Sequence, residues 1–324
     1  MIISRTPFRI SLAGGGTDLP DYYRVSGGWV SALTISKYMY ITVNKRFDHT
    51  LRVGYSKMEL VDTVDELQHP LVRAALKQTG LISSIEVTSM ADIPGQTGIG
   101  SSGSFIVGLL NALYAYKGVH ASAERLAREA CEIEIDLLNE PIGKQDQYIA
   151  AYGGIRFIEF NPDESVYANP IICSPSTKEE LIRHLLLFYT GVTRPAATVL
   201  KEQKSKTVCN RDVLNEMKEQ AGQIREILEK GRHLAIIGNI LHQGWLLKRR
   251  LASNVSNEAI DQSYEAALNA GALGGKILGA GGGGFLLFFV EPQNQGKVRQ
   301  ALSELKPVEF GFEPQGSKII YVSD

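Results

Sequence analysis

Along the first half of the chain, hydrophobic and polar residues alternate in runs of strand length. Residues 2–12 and 37–46, rich in β-branched and aromatic side chains, predict strands, as does SIEVTSM at 84–90. At 101–117 the period lengthens: Phe105, Leu109, Leu113 and Tyr116 fall on one stripe and predict a helix. A second helix is predicted over 123–138, capped by Ser122. AAYGG, ending at Gly154, closes a short helix and leads into a strand, IRFIEF. Beyond Asn161 a Pro- and Ser-containing stretch precedes long helical patterns around 210–230 and 232–252, then a helix near 257–270. The apolar run 285–290 predicts a buried strand, with one more helix and two short strands behind it. This mixture is α+β, with a boundary near 160–175 separating an N-terminal domain, 1–165, from a C-terminal domain, 166–324.

Composition narrows the function classes. With 324 residues and 44% hydrophobic side chains the chain can build proper cores. Thirty-four Lys and Arg against 35 Asp and Glu leave no global field to recruit nucleic acid or an anionic membrane. The start, MIISRTPFRI, lacks a basic segment followed by an apolar one, and the longest apolar runs are of strand length. Three scattered cysteines, Cys131, Cys173 and Cys209, have neither disulfide nor zinc spacing. The expectation is a soluble cytoplasmic protein acting on a small molecule, with a homodimer left open.

The 32 glycines gather in three places: SLAGGGTD (11–18), PGQTGIGSSGS (94–104) and GAGGGG (279–284). Glycine pairs usually mark turns, but each cluster touches a strand end. The middle one is the most informative. It leads straight into an apolar-periodic helix, with Ser101, Ser102 and Ser104 in the first turn, where free N–H groups and the helix dipole favour an anion. Gly98, Gly100 and Gly103 spell GxGxxG, but ADIPGQT separates them from the preceding strand, and Glu124, about 20 residues on, opens a second helix. No Gly-Lys-Ser/Thr triplet closes the loop either, so it is not a Walker A motif. What is left is a phosphate-cradling loop without a lysine.

Two carboxylates stand out. Glu134 shares a stripe with Ala127, Cys131 and Leu138, so a buried salt bridge, a cap contact or a metal ligand would each explain it. Asp146 opens the short helix in PIGKQDQYIAAYGG, where a plain helix cap is the bland reading. Spacing does not choose in either case.

With its three glycine clusters in this order, the sequence resembles the GHMP kinases, the superfamily of galactokinase, homoserine kinase, mevalonate kinase and phosphomevalonate kinase. RTPFRISLAGGGTD is similar to the first family motif, PGQTGIGSSGS to the ATP-phosphate motif and KILGAGGGGF to the third. The resemblance implies a two-domain α+β fold, with a ribosomal protein S5-like N-terminal domain and a ferredoxin-like C-terminal domain. ATP, Mg²⁺ and an acceptor would lie between them. It implies phosphate contacts at Gly95, Gly98, Gly100, Ser101, Ser102 and Gly103, magnesium at Ser102 and Glu134, and catalysis by Asp146 and Arg9. Between Gly143 and Asp146 this chain has one residue more than mevalonate kinase, which puts the spacing from Glu134 to Asp146 in doubt.

Asp18 matches an aspartate that binds sugar hydroxyls in galactokinase. Where galactokinase has Glu-His, this chain has Gly15 and Gly16, which disfavours galactose and leaves room for a larger acceptor. FRISLAGGGTDLP, GKQDQYIAAYGG and GKILGAGGGG look most like the D-glycero-D-manno-heptose 7-phosphate kinases, which phosphorylate the anomeric hydroxyl of a sugar phosphate. Another sugar, such as fucose, or a non-catalytic sensor is the alternative. A phosphorylated acceptor needs a second anion site, for which Arg194, Lys248 and Lys276 are candidates. Trp245 is either a sugar platform or core. Gly281 and Gly282 would let backbone approach the nucleotide loop and the acceptor.

Overall fold

The computed structural model describes residues 1–193 and 197–323. In chain order its first half runs β1 (Ile2–Ala13), α1 (Pro20–Ser26), β2 (Gly28–Lys45), β3 (Leu51–Gly54), β4 (Met58–Val61), α2 (Pro70–Thr79), β5 (Ile85–Ala91), α3 (Ser101–Tyr116), α4 (Ala123–Cys131), α5 (Gln145–Tyr152), β6 (Ile155–Phe160) and β7 (Val166–Pro170). The remainder runs α6 (Pro175–His184), β8 (Leu185–Tyr189), α7 (Ala197–Ser205), α8 (Arg211–Lys230), α9 (Ala235–Arg249), α10 (Glu258–Asn269), β9 (Ala272–Ile277), β10 (Phe285–Val290), α11 (Gln295–Ala301), β11 (Lys306–Pro307) and β12 (Lys318–Val322).

The strands form two sheets. The first has the order β12-β1-β2-β5-β3-β4, with β6 on β2 and β7 on β6; the second has the order β11-β8-β10-β9. Both β7 and β12 belong to the first sheet although they lie beyond residue 165, in the range predicted for the C-terminal domain. The chain therefore returns to its starting sheet before it ends.

Strand β2 is much longer than the 37–46 run predicted. Its N-terminal part pairs with β6 and its C-terminal part with β5. The extra length is GWVSALTIS, which is buried against both β1 and α8. Helix α3 is buried on more than the predicted stripe, because Ile106, Val107, Leu110 and Ala112 are inaccessible too. It is packed between the first sheet and helices α2, α4 and α5, so no face meets solvent for most of its length.

In β10 every residue is buried, as its unbroken apolar run requires. Its side chains alternate: Phe285, Leu287 and Phe289 join the core shared with the first sheet, whereas Leu286, Phe288 and Val290 pack around Trp245. Strand β9, ALGGKI, is not legible as a strand from sequence because two glycines interrupt it. Those glycines permit close helix packing, since a Cβ on Gly274 would lie 2.0 Å from the Gly238 carbonyl of α9.

The predicted helix over 123–138 is α-helical only to Cys131 and then continues as a π-helical turn, Glu132–Leu137, in which Leu138 donates to the Ile133 carbonyl. Such widened turns commonly sit at functional sites, and Glu134 lies inside this one.

Candidate active site

One cleft collects residues from all three glycine clusters. Its wall includes Gly15, Gly16 and Asp18 from the first, with Arg9 just before it, Gly98, Gly100, Ser101 and Ser102 from the second, and Gly279, Gly281 and Gly283 from the third. Asp146, Lys248 and Lys276 complete it.

The second cluster is shaped as an anion cradle. Gly100 caps α3 with φ +77°, a left-handed conformation that aims the first N–H groups of a 16-residue helix at the cleft. Ser101 and Ser102 stand on that rim, with Ser102 exposed. Gly103 is buried just behind, where a Cβ would lie 2.9 Å from the Asp146 Cβ. Gly95 does not reach the wall; it sits on an exposed part of the loop, where an added Cβ would meet nothing within 4 Å.

Arg9 ties this loop to the catalytic candidate. Its Nε donates to Asp146 Oδ1 at 2.7 Å and its Nη2 to Asp146 Oδ2 at 2.9 Å, a two-pronged ion pair. Its Nη1 donates to the Gly98 carbonyl at 2.6 Å, and its backbone N–H to the Ile99 carbonyl at 3.1 Å. The guanidinium is buried, whereas the Asp146 side chain keeps 25% exposure toward the cleft. Asp146 is thus oriented by a rigid group and open on its other side, the arrangement expected of a group that meets an acceptor.

Glu134 is buried and accepts from Gln147 Nε2 at 2.5 Å, with the Ser102 hydroxyl as a second donor. Burial, aided by the charge on Asp146, pushes its carboxyl up to about 7 against those two hydrogen bonds. Glu129 of the same helix is buried as well, but Tyr114 and Arg125 satisfy it. Among the described residues no group of three or more His, Cys, Asp or Glu could hold a metal. Glu134 and Ser102 would supply one carboxylate and one hydroxyl, and the Gln147 Oε1 beside them has no partner among the described residues. This sparse oxygen set fits Mg²⁺, which commonly binds one or two carboxylates and otherwise substrate phosphates and water.

The other wall is cationic. Lys248, on α9, is buried and donates to the carbonyls of Ile277 and Gly279. Lys276, on β9, is buried and donates to the Leu12 carbonyl at 3.2 Å. Neither has a carboxylate partner among the described residues. Burial pushes both ammonium groups down, helped by Lys276 and Arg9 for Lys248 and by Arg9 for Lys276, which falls to about 7. A helical lysine is usually solvated, as the neighbouring Arg249 and Arg250 are. The expected role of Arg194 lies outside the described residues.

The third cluster backs the second. Gly279 has φ +67°, and a Cβ there would lie 2.4 Å from the Gly98 Cα. Gly282 is not part of the wall; its N–H is turned to the Val255 carbonyl and its carbonyl to Asn257. Trp245 is fully buried against Tyr264 and Phe288 and belongs to the core, away from the cleft.

At the first glycine loop, Asp18 Oδ1 accepts from Gly16 N–H and Oδ2 from Gln145 N–H, so the carboxylate clasps that loop to the start of α5. Space is left open at Gly15. At Gly16 it is taken, because a Cβ would meet Gln203 Nε2 at 2.5 Å. Ser11, Gln145 and Gln203 line the cleft without having been singled out in the sequence, since neutral polar residues beside glycine carry no distinctive spacing.

Comparison with known proteins decides the family. The profile of the GHMP kinases N-terminal domain matches residues 66–154, and that of the GHMP kinases C-terminal domain matches 218–307. The chain belongs to the GHMP kinases. It is 30% identical to D-glycero-alpha-D-manno-heptose 7-phosphate kinase of Campylobacter jejuni, over 98% of both chains. It is 29% identical to the L-fucokinase/L-fucose-1-P guanylyltransferase of Bacteroides fragilis, over 95% of this chain and 36% of that one. Among solved structures, a D-glycero-D-manno-heptose 1-phosphate kinase from Bacteroides thetaiotaomicron superposes with a TM-score of 0.83 at 25% identity, covering all of both chains. This GHMP kinase is accordingly an ATP-dependent sugar phosphotransferase. No helix among the described residues is long and apolar enough to cross a membrane.

Proposed function

We propose that this kinase transfers the ATP γ-phosphoryl group to the anomeric hydroxyl of D-glycero-D-manno-heptose 7-phosphate, giving the 1,7-bisphosphate used for nucleotide-activated heptose and surface glycans. The observation that supports it most is the pair of buried lysines that line the cleft with no carboxylate partner among the described residues. A free sugar gives such cations nothing to neutralise, whereas a sugar phosphate does.

Each residue has one task in this reading. The rim of α3, from Gly98 to Ser102, holds the ATP phosphates. Ser102 and Glu134 would hold Mg²⁺, which, when bound, neutralises charge on the phosphates. Asp146 accepts a hydrogen bond from the acceptor hydroxyl and takes its proton, while Arg9 fixes the carboxylate and adds positive charge beside the moving group. Gly15 and Asp18 wall the sugar, and Lys248 and Lys276 take its distal phosphate, with Gly281 alongside.

An ATP-consumption panel of heptose 7-phosphate, fucose, galactose and mevalonate tests the acceptor. Turnover of heptose 7-phosphate well above the others is expected. Turnover of fucose without heptose 7-phosphate would replace this reading with that of the fucokinase relative.

The lysine wall also predicts a pH dependence. Lys276 titrates at about 7 in the folded protein and at about 10.4 in an unfolded chain. Between those values the unfolded chain binds more protons, so through this group the free protein gains stability as pH rises. Phosphate binding favours the ammonium and has the opposite slope, so the acceptor KM increases as pH rises above about 7. In Lys276→Met the acceptor KM is high and flat with pH, while the KM for ATP follows the wild type. A KM profile that keeps its slope in the variant assigns the titration to another group.

A further inference from the structure

The start of α5 carries a residue that does not suit it. Lys144 occupies the N-cap, yet makes no side-chain cap bond. That position ordinarily goes to a short polar side chain that accepts from the first free N–H groups, and the helix dipole disfavours a cation there. The charge is engaged elsewhere. Lys144 Nζ donates to Glu164 Oε2 at 2.5 Å and lies 4.8 Å from the centre of the Tyr23 ring, and the side chain is only 13% exposed.

Glu164 sits in the turn between β6 and β7 with φ +70°, a left-handed conformation that costs free energy for a residue with a Cβ. Its carboxylate gathers donors from two other segments. Besides Lys144, Oε2 accepts from the Tyr23 hydroxyl at 2.6 Å, and Oε1 accepts from Arg24 Nε at 2.6 Å. Tyr23 and Arg24 belong to α1, just after the first glycine cluster. Lys144 N–H in turn donates to the carbonyl of Asp18, the last residue of that cluster. One carboxylate therefore joins the first glycine segment to the segment that leads into Asp146.

Stability does not account for this arrangement. The Glu164 side chain is 44% exposed, and ion pairs of such exposure add little to folding, whereas glycine would adopt the same φ without strain. What the contacts fix is position. Asp146 is two residues beyond Lys144, in the first turn of α5. Arg9 orients the Asp146 carboxylate, and Lys144 locates the backbone that carries it. We infer that Glu164 and Lys144 are positioning residues, a clamp that sets the start of α5, and with it Asp146, against the first glycine loop. This rests on the reading of Asp146 given above. Neither residue lines the cleft, so neither acts on the acceptor itself.

The test measures kcat, both KM values and the melting temperature for Glu164→Gln, Glu164→Gly, Lys144→Met and the double variant Glu164→Gln/Lys144→Met, with heptose 7-phosphate, or with fucose if only that is turned over. Each single variant is expected to lose about ten-fold in kcat, part of the roughly 10²-fold that a full 1 Å misplacement costs, with the KM for ATP unchanged. The double variant loses no more than either single one, because both break the same clamp. Glu164→Gly separates position from stability: relief of the left-handed strain keeps its melting temperature near or above the wild-type value while kcat still falls. Single losses that multiply in the double variant, or losses that track melting temperature across the set, overturn the inference. So does a wild-type kcat in Glu164→Gln. If Glu164→Gln loses activity and Asp146→Asn does not, the reading of Asp146 fails and the clamp falls with it; if Asp146→Asn alone loses activity, only the clamp is wrong.

Discussion

Asp146→Asn is expected to lower kcat by about 10²- to 10⁴-fold, the usual contribution of a positioned general acid or base. Asparagine is close in size to aspartate and keeps one oxygen to accept from Arg9, but it cannot take the acceptor proton. The KM for ATP should change little, because in the proposed mechanism the ATP phosphates meet α3 and the loop before it, not Asp146. Asp146 and the phosphate loop touch Arg9 on separate nitrogens, with Nε and Nη2 on the carboxylate and Nη1 on the Gly98 carbonyl. Steady-state kinetics beside a melting curve separate the two roles of the residue. A loss of activity that only tracks a fall in melting temperature would make Asp146 a counterion for Arg9 and nothing more. Unchanged turnover would remove it from the mechanism.

Gly279→Ala is the second large effect, and it acts through backbone in the cleft wall rather than through a reacting side chain. A methyl there would lie 2.4 Å from the Gly98 Cα, about 1 Å inside the 3.4 Å at which ordinary contact begins. Both partners are backbone, so neither can swing aside. The overlap is relieved by moving the Gly98 loop, which carries with it the carbonyl bound to Arg9. A displacement near 1 Å in a catalytic constellation costs about 10²-fold, and that is the expected fall in kcat/KM. Gly80→Ala is the control. Gly80 has φ +72° and nothing within 4 Å, so its substitution brings the left-handed strain without the collision. Gly80→Ala should lower the melting temperature slightly and leave activity alone. Full activity in Gly279→Ala would show that the two loops separate freely.

The contrast between these glycines explains much of what can be read from the chain and what cannot. The loop ahead of α3 is legible because a phosphate cradle is a local device: left-handed glycine, small hydroxyl residues and a helix start, all within about ten positions. Asp146 is visible as the first-turn carboxylate of a short helix, but only Arg9, 137 residues away, separates an oriented carboxylate from a helix cap. Glu134 is flagged by an apolar stripe of α-helical period. It is indeed buried, yet the turn that carries it is π-helical, and nothing in hydrophobic periodicity distinguishes a turn closed at i+5 from one closed at i+4. Strand β9 escapes notice because Gly274 and Gly275 depress strand propensity; what fills their missing side-chain volume is α9 and β10, elements found elsewhere in the chain.

The sequence by itself determined the α+β class, the position of most helices and strands, and the loop shaped for phosphate. These follow from periodicity, caps and glycine placement, which act over one or two turns of chain. Tertiary structure alone decided which charges are buried together and which atoms are left without partners. Lys248 reads as one of three basic residues on a helix, and it comes to line the cleft because α9 packs on β9 and turns it toward the Gly279 carbonyl. Ser11 and Gln145 come to line one cleft only because β1 and α5 meet across Gly15. Desolvation and hydrogen-bond satisfaction depend on everything within a few ångströms in space, and residues far apart in the sequence supply most of that surrounding.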